Sequence, residues 1–150
     1  MLKLTNYLQK ESVALFDLPD KKSALTAMID VITANNDLTA RKAEITSAIF
    51  EREAIMSTGI GRGIAVPHVR SDAVSTVRMA FGIFKKPIDY TSMDDKPVHI
   101  IVMLVVPKAL HQEYLRILAR IVLLLKNDTL KQQLLDCSAA GDAYNILSAY

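Results

Sequence analysis

The fold of this 150-residue chain is decided by residues 98–106, which read Val98-His99-Ile100-Ile101-Val102-Met103-Leu104-Val105-Val106 and end at Pro107. A membrane-spanning helix needs about 20 apolar residues, so this run is too short to cross a bilayer. A short, continuously apolar run is typical of a β-strand that is covered on both faces. The segment therefore predicts a central strand in a layered sheet.

Outward from this strand, the chain alternates between strand-like and helical patterns. Further strands are predicted at residues 13–16, 64–66 and 77–84. Apolar spacings of three and four residues predict five helices, at 22–36, 39–53, 109–126, 129–135 and 142–149. Thr39 is predicted to cap the second of them. Helices before, between and after buried strands predict one α/β domain over residues 1–150, a mixed β-sheet with helices on both faces.

The composition excludes several classes of protein. The chain is 51% hydrophobic and 23% charged, which suits a globular domain, and its net charge is +2 with no Lys/Arg run longer than two. We therefore expect no nucleic-acid surface. Cys137 is the single cysteine and the N-terminus lacks a signal-peptide pattern. These features predict a cytoplasmic protein with no direct membrane insertion.

Three glycines, Gly59, Gly61 and Gly63, alternate in a loop that follows the second predicted helix. Glycine permits positive φ, and successive exposed amides can bind an anion. The spacing matches neither a Walker loop nor a dinucleotide fingerprint. Taken alone, the loop is equally consistent with a mobile hairpin.

Two histidines and one arginine could act on an anion. His68 follows Pro67 at a strand end, and a neutral imidazole can attack a phosphoryl group without a separate base. His111 lies at a helix start, where free amides favour negative charge. Arg52 ends the second helix, and a guanidinium pairs with phosphate oxygens. Each of these residues, taken alone, is also consistent with a surface side chain that has no role.

Three histidines also raise the possibility of a zinc site. None of them is paired at metal-ligand spacing, and Cys137 is remote in sequence. His99 lies inside the apolar strand and is interpreted as a structural residue. We therefore expect no metal site.

The combination of these residues is specific. Arg52-Glu53, followed by Ser57-Thr58-Gly59-Ile60-Gly61-Arg62-Gly63-Ile64-Ala65-Val66-Pro67-His68, closely resembles the active-site signature of fructose/mannitol-type enzyme IIA domains of the bacterial phosphoenolpyruvate-dependent phosphotransferase system. Residues 87–99, 105–115 and 128–149 are also similar, so the resemblance covers about residues 5–149. Val69 departs from the family, which commonly has a small residue after the histidine. The family fold is one α/β domain with helices on both sides of a mixed sheet.

The resemblance implies that His68 accepts a phosphoryl group on Nε2 from HPr, or from a nitrogen-branch homologue of it, and passes it to an enzyme IIB domain. It implies supporting roles for Arg52 and His111. We expect the Gly59, Gly61 and Gly63 amides to neutralise phosphate oxygens, and no cofactor to be needed. Two alternatives remain. One is a regulatory, nitrogen-branch IIA that binds target proteins according to its phosphorylation state. The other is a degenerate binding module, against which the intact site residues argue.

Overall fold

The computed structural model describes residues 2–34 and 36–150. Within these residues the strands form a six-stranded sheet. The strands are β1 Val13–Phe16, β2 Gly59–Gly61, β3 Ile64–Ala65, β4 His68–Arg70, β5 Arg78–Ile88 and β6 Val98–Val106. The helices are α1 Lys21–Ile32, α2 Asn36–Thr39, α3 Lys42–Ile55, α4 His111–Leu125, α5 Asp128–Leu135 and α6 Ala140–Leu147. Two 3₁₀ turns, Leu4–Asn6 and Lys10–Ser12, precede β1.

The sheet is mixed and is centred on β6. Its order is β1-β5-β6-β3-β2, and β4 pairs with β6 further along the same edge as β3. β5 runs antiparallel to β6, whereas β3 and β4 run parallel to it. The register places Ile64 opposite Ile100 and His68 opposite Leu104.

Helices cover both faces of β6, as its apolar run predicts. Side chains alternate along a strand, so the two faces of β6 enter different cores. Val102 and Leu104 pack in one core with Ile117 of α4 and Leu134 of α5. The other core holds residues from the opposite face of β6 together with α1 and α3; its members include Met28, Ile45, Ile49, Ile101 and Met103. The predicted α/β architecture is therefore confirmed.

Several local predictions differ from the structure. α1 ends at Ile32, and Asn35 of its predicted end lies outside the described residues. Thr39 does not cap α3, because it ends α2 and its hydroxyl donates to the Thr33 carbonyl at 2.9 Å. α3 instead begins at Lys42. The glycine segment, predicted as a loop, starts with strand β2 and turns back antiparallel to β3.

No helix among residues 2–34 and 36–150 is long and apolar enough to cross a bilayer.

Candidate functional site

β4 holds the backbone of His68 against the central strand. The residue pairs with Leu104 of β6, and the Pro67 carbonyl accepts a hydrogen bond from the Leu104 amide at 3.0 Å. Proline fixes φ and removes a donor, so the chain enters β4 stiffly. This strand was not predicted from the sequence, and its pairing with β6 holds the backbone of His68 in place.

Both ring nitrogens of His68 are engaged. Nδ1 lies 3.0 Å from the Val66 carbonyl oxygen, and Nε2 lies 3.1 Å from the Tyr114 hydroxyl. A carbonyl can only accept, so Nδ1 carries the proton and donates to Val66. Nε2 therefore keeps its lone pair and accepts from the Tyr114 hydroxyl. The geometry selects the tautomer in which Nε2 is the nucleophilic atom.

The surroundings of His68 also favour its neutral form. Burial lowers the pKa of His68 below its ordinary value, and the positive charges of Arg52 and Arg70 lower it further. The Val66 carbonyl and the Glu53 carboxylate act in the opposite direction, with a smaller total effect. At neutral pH the imidazole is therefore uncharged and able to act as a nucleophile.

His68 and Arg52 line the same surface cleft. Its volume is about 370 Å³, and its lining residues are Ala48, Glu51, Arg52, Ile55, His68, Val69 and Arg70. Arg52 lies in the last turn of α3, where its Nη1 donates to the Met56 carbonyl at 2.8 Å. A guanidinium has five N–H donors, so this bond leaves capacity for an anion. With Arg70, the cleft presents two guanidinium groups and the Glu51 carboxylate beside one neutral histidine.

A buried carboxylate anchors the end of α3 behind the cleft. Glu53 is 8% exposed and accepts from the Thr58 amide at 2.8 Å and from the Thr58 hydroxyl at 2.7 Å. Lys21 of α1 forms an ion pair with the same carboxylate at 3.0 Å. These contacts tie α3 to the chain that leads into β2. They therefore fix the helix turn that carries Arg52.

His111 reaches the site through a tyrosine that sequence reasoning missed. It is the first residue of α4, and Tyr114 follows one turn later on the same helix. The Tyr114 ring centroid lies 4.8 Å from that of His68 and 5.9 Å from that of His111. Both histidines therefore lie beside the Tyr114 ring. The three-residue spacing from His111 was the available signal for Tyr114.

The structure does not bring the glycine turn to His68. The Gly63 carbonyl accepts from the His99 and Ile100 amides at 2.8 and 3.0 Å. His68 pairs with Leu104, four residues further along β6, which is about 13 Å at the usual strand rise. The Gly59 amide is itself engaged by the Ser57 hydroxyl at 3.2 Å. None of Gly59, Gly61 and Gly63, the expected phosphate loop, lines the cleft, and β3 pairs near the start of β6.

Gly61 and Gly63 have a structural reason to be glycine. Their φ angles are +92° and +78°, in the region that other residues rarely adopt. A Cβ at Gly63 would lie 2.9 Å from Cδ2 of His99. The glycines thus shape a tight turn against His99.

Within the part of the chain that the structure describes, no three His, Cys, Asp or Glu side chains converge as a metal site would require. Cys137 is buried and free.

A neutral histidine held beside arginines is chemically able to accept a phosphoryl group. Comparison with known families agrees. The family described as "Phosphoenolpyruvate-dependent sugar phosphotransferase system, EIIA 2" matches residues 6–150. The chain belongs to this family, and it is therefore a component of a phosphotransfer system. The resemblance recognised in the sequence is confirmed.

Curated relatives fall into two groups. The chain is 31% identical over 139 residues to the fructose-specific EIIA component of Haloferax volcanii, covering 92% of this chain and 90% of that protein. It is 32% identical over 123 residues to a nitrogen regulatory protein of Bradyrhizobium diazoefficiens, covering 77% and 80%. It is also 31% identical over 150 residues to the fructose-specific EIIABC component of Bacillus subtilis. That match covers 99% of this chain but only 24% of the longer protein.

Solved structures share the fold. The nitrogen regulatory protein IIA-Ntr of Neisseria meningitidis superposes with a TM-score of 0.84 at 24% identity, covering 96% of this chain and 98% of that one. The mannitol IIA of Escherichia coli, solved as a complex with phosphorylated IIB, superposes with a TM-score of 0.75 at 15% identity, covering 95% and 98%. These similarities establish the architecture.

Proposed function

We propose that this protein is a cytoplasmic histidine phosphocarrier. His68 accepts a phosphoryl group on Nε2 from HPr, or from a nitrogen-branch homologue of it, and passes the group to an enzyme IIB domain. The supporting observation is the pair of hydrogen bonds on the His68 ring, which commits the proton to Nδ1 and leaves the lone pair on Nε2.

The transfer is an in-line displacement between two histidines on two proteins. The phosphorus–nitrogen bond on the donor breaks as a phosphorus–Nε2 bond forms on His68, and the Nδ1 proton stays in place. Phosphoryl transfer depends mainly on positioning and charge neutralisation, so no cofactor is required in this proposal. The positive charge that the ring acquires is stabilised by the Val66 carbonyl at 3.0 Å from Nδ1.

Arg52 and Arg70 supply the counter-charge. A bound phosphoryl group adds roughly two negative charges. Both side chains line the cleft with His68. Their positive charges lower the pKa of His68, so both act electrostatically on its ring. We assign Arg52 the principal role because its guanidinium is held by the Met56 carbonyl. His111, at the start of α4, assists through its contact with the Tyr114 ring.

The destination of the phosphoryl group has two candidates. Transfer to IIB for sugar uptake is supported by the fructose-specific EIIA relative, and by a structural neighbour solved as a complex with phosphorylated IIB. A regulatory role, in which the phosphorylation state controls binding to target proteins, is supported by the nitrogen regulatory relative at 32% identity. Phosphotransfer to a panel of IIB domains, with pull-downs in both phosphorylation states, distinguishes them.

The proposal is tested by reconstitution. The protein is incubated with labelled phosphoenolpyruvate, enzyme I and HPr, and acid-labile phosphate on the chain is counted. We expect His68→Ala to abolish labelling. His99→Ala is the matched control, because His99 is also a partly buried histidine with a pKa lowered by burial. Labelling that persists in His68→Ala would overturn the assignment.

A further inference from the structure

Tyr114 holds the reacting atom of the proposed phosphocarrier. Its hydroxyl lies 3.1 Å from Nε2 of His68, and the two rings are tilted by 31°. The side chain is only 8% exposed and packs in the core beneath α4 with Ile117 and Leu104. The ring is therefore anchored, and its hydroxyl is placed by the core.

Nε2 cannot accept this hydrogen bond and bind phosphorus at the same time. With its proton on Nδ1, the imidazole has one lone pair, at Nε2. The Tyr114 hydroxyl uses that lone pair in the unphosphorylated protein. The hydroxyl must therefore leave the lone pair before the new bond forms, although its anchored ring keeps it next to the incoming group.

We infer that Tyr114 is a positioning residue that holds Nε2 in its acceptor form, yields the lone pair during transfer, and then donates to a phosphoryl oxygen. This inference rests on the proposed function. The phosphorus–nitrogen bond of the donor breaks, the phosphorus–Nε2 bond forms, and the tyrosine proton stays on its oxygen throughout. Burial raises the pKa of Tyr114, which keeps the hydroxyl protonated as a donor.

Two opposing effects follow from this exchange of partners. In wild-type protein, the bond from the Tyr114 hydroxyl to Nε2 must break before the phosphoryl group is accepted, which slows acceptance. The new bond from the hydroxyl to a phosphoryl oxygen slows the loss of the phosphoryl group. One neutral hydrogen bond corresponds to about a 2- to 10-fold change in rate. Tyr114 therefore lengthens the lifetime of the phosphorylated state at the expense of its formation.

The experiment compares Tyr114→Phe with wild type. The variant keeps the ring and removes the hydroxyl, so it tests the hydrogen bond with the packing retained. Tyr144→Phe is the control, because Tyr144 is a partly buried tyrosine of α6 that packs against the same core. In unphosphorylated protein, NMR titration gives the pKa of His68 and the ¹⁵N shift of Nε2. In phosphorylated protein, the rates of acceptance and of hydrolysis are measured.

We expect Tyr114→Phe to raise the pKa of His68, because the lost bond stabilises the neutral ring. We also expect acceptance and hydrolysis each to become about 2- to 10-fold faster, with Tyr144→Phe unchanged. An unchanged His68 pKa with an unchanged phosphohistidine lifetime would overturn the inference. If wild type is never labelled, the proposed function fails first, and the titration still shows separately whether the bond to Nε2 exists.

A second measurement uses only wild-type protein, so it does not depend on the packing of the Tyr114→Phe variant. In wild-type protein, the ¹³Cζ shift of Tyr114 should change on phosphorylation while that of Tyr144 stays constant. No change at Tyr114 would contradict the exchange of hydrogen-bond partners.

Discussion

The two ends of β6 each lie beside a histidine, but their surroundings differ. Near the end of the strand, His68 has both ring nitrogens hydrogen-bonded and shares a cleft with Arg52. Near its start, His99 packs against the turn at Gly63 and lies close enough to Lys131 for that charge to lower its pKa. Burial lowers the pKa of both histidines. A lowered pKa therefore does not distinguish the proposed site, whereas the fixed tautomer and the neighbouring arginines do.

This difference separates two kinds of site within one short segment of sequence. The glycines and His68 are adjacent along the chain, yet the register of β3 and β4 on β6 sends them to opposite ends. The glycines form a tight turn at one end, and His68 lies beside arginines at the other. Substitutions at each end therefore test this comparison.

The largest effect is expected at Arg52. Arg52→Ala should lower the rate of phosphoryl acceptance by about 10²- to 10³-fold, because a preorganised donor to the transferred group is lost. Arg62→Ala should leave the rate unchanged, because Arg62 lies at the glycine turn and faces Asp128 at 3.7 Å. Rapid-quench labelling with HPr measures both rates. Equal losses in the two variants would contradict the comparison.

A substitution in the glycine turn should lower the free energy of unfolding and leave the rate of phosphoryl transfer unchanged. Gly63→Ala should lower the free energy of unfolding by about 1–3 kcal/mol, because a Cβ is forced onto a backbone with φ +78° and against His99. Gly141→Ala in α6 is the control. Its Cβ meets Lys10 at an ordinary 3.6 Å, so we expect it to stabilise by about 0.5–1 kcal/mol.

Urea unfolding measures both glycine variants, and labelling is normalised to the folded fraction. Folded Gly63→Ala should accept phosphate at the wild-type rate. A specific loss of labelling in folded protein would mean that the turn acts on the phosphoryl group after all.

His111 should have a smaller effect than Arg52. Its contribution comes through its contact with the Tyr114 ring, so His111→Ala should slow acceptance by about 2- to 5-fold. Gln112→Ala, at the next exposed position of α4, should have no effect. Initial-rate labelling resolves the difference. An unchanged rate in His111→Ala would remove His111 from the site.

The smallest effect is a displacement of the pH profile. Only the neutral ring can attack, so acceptance is lost as the pH falls through the pKa of His68, which burial and two arginines hold below 6.5. Arg70→Ala should raise this pKa, because it removes a positive charge. NMR titration of the His68 ring, with His99 as internal reference, measures it. A midpoint above 6.5 in wild type would contradict the described surroundings.

Much of the architecture could be predicted, because the responsible signals are local. The continuous apolar run at 98–106 required cover on both faces, and the bounds of β6 match it. The helical spacing after Pro107 predicted α4, which the structure places at His111–Leu125. The short strand β4 could not be predicted in this way. It has three residues, and it exists because β6 offers an edge for pairing at Leu104 and beyond.

The site was predicted only in part, because some of its contacts depend on tertiary packing and strand register. His68, Arg52 and His111 could be named from the sequence, but Tyr114 is 46 residues from His68 and meets it only through tertiary packing. The direction of the glycine turn depends on one register choice, Ile64 opposite Ile100. The spacing from His111 pointed to Tyr114 only as its neighbour on α4, and no local pattern reveals the contact of Tyr114 with His68 or the direction of the glycine turn.

The most direct test of the central claim is the atom that receives the phosphoryl group. Uniformly ¹⁵N-labelled protein is phosphorylated with phosphoenolpyruvate, enzyme I and HPr, and long-range ¹H–¹⁵N spectra are recorded on the histidine rings. We predict phosphorylation at Nε2 of His68, with the proton retained on Nδ1 and with His99 and His111 unmodified. A phosphoryl group on Nδ1 of His68, or on either of the other histidines, would contradict the account.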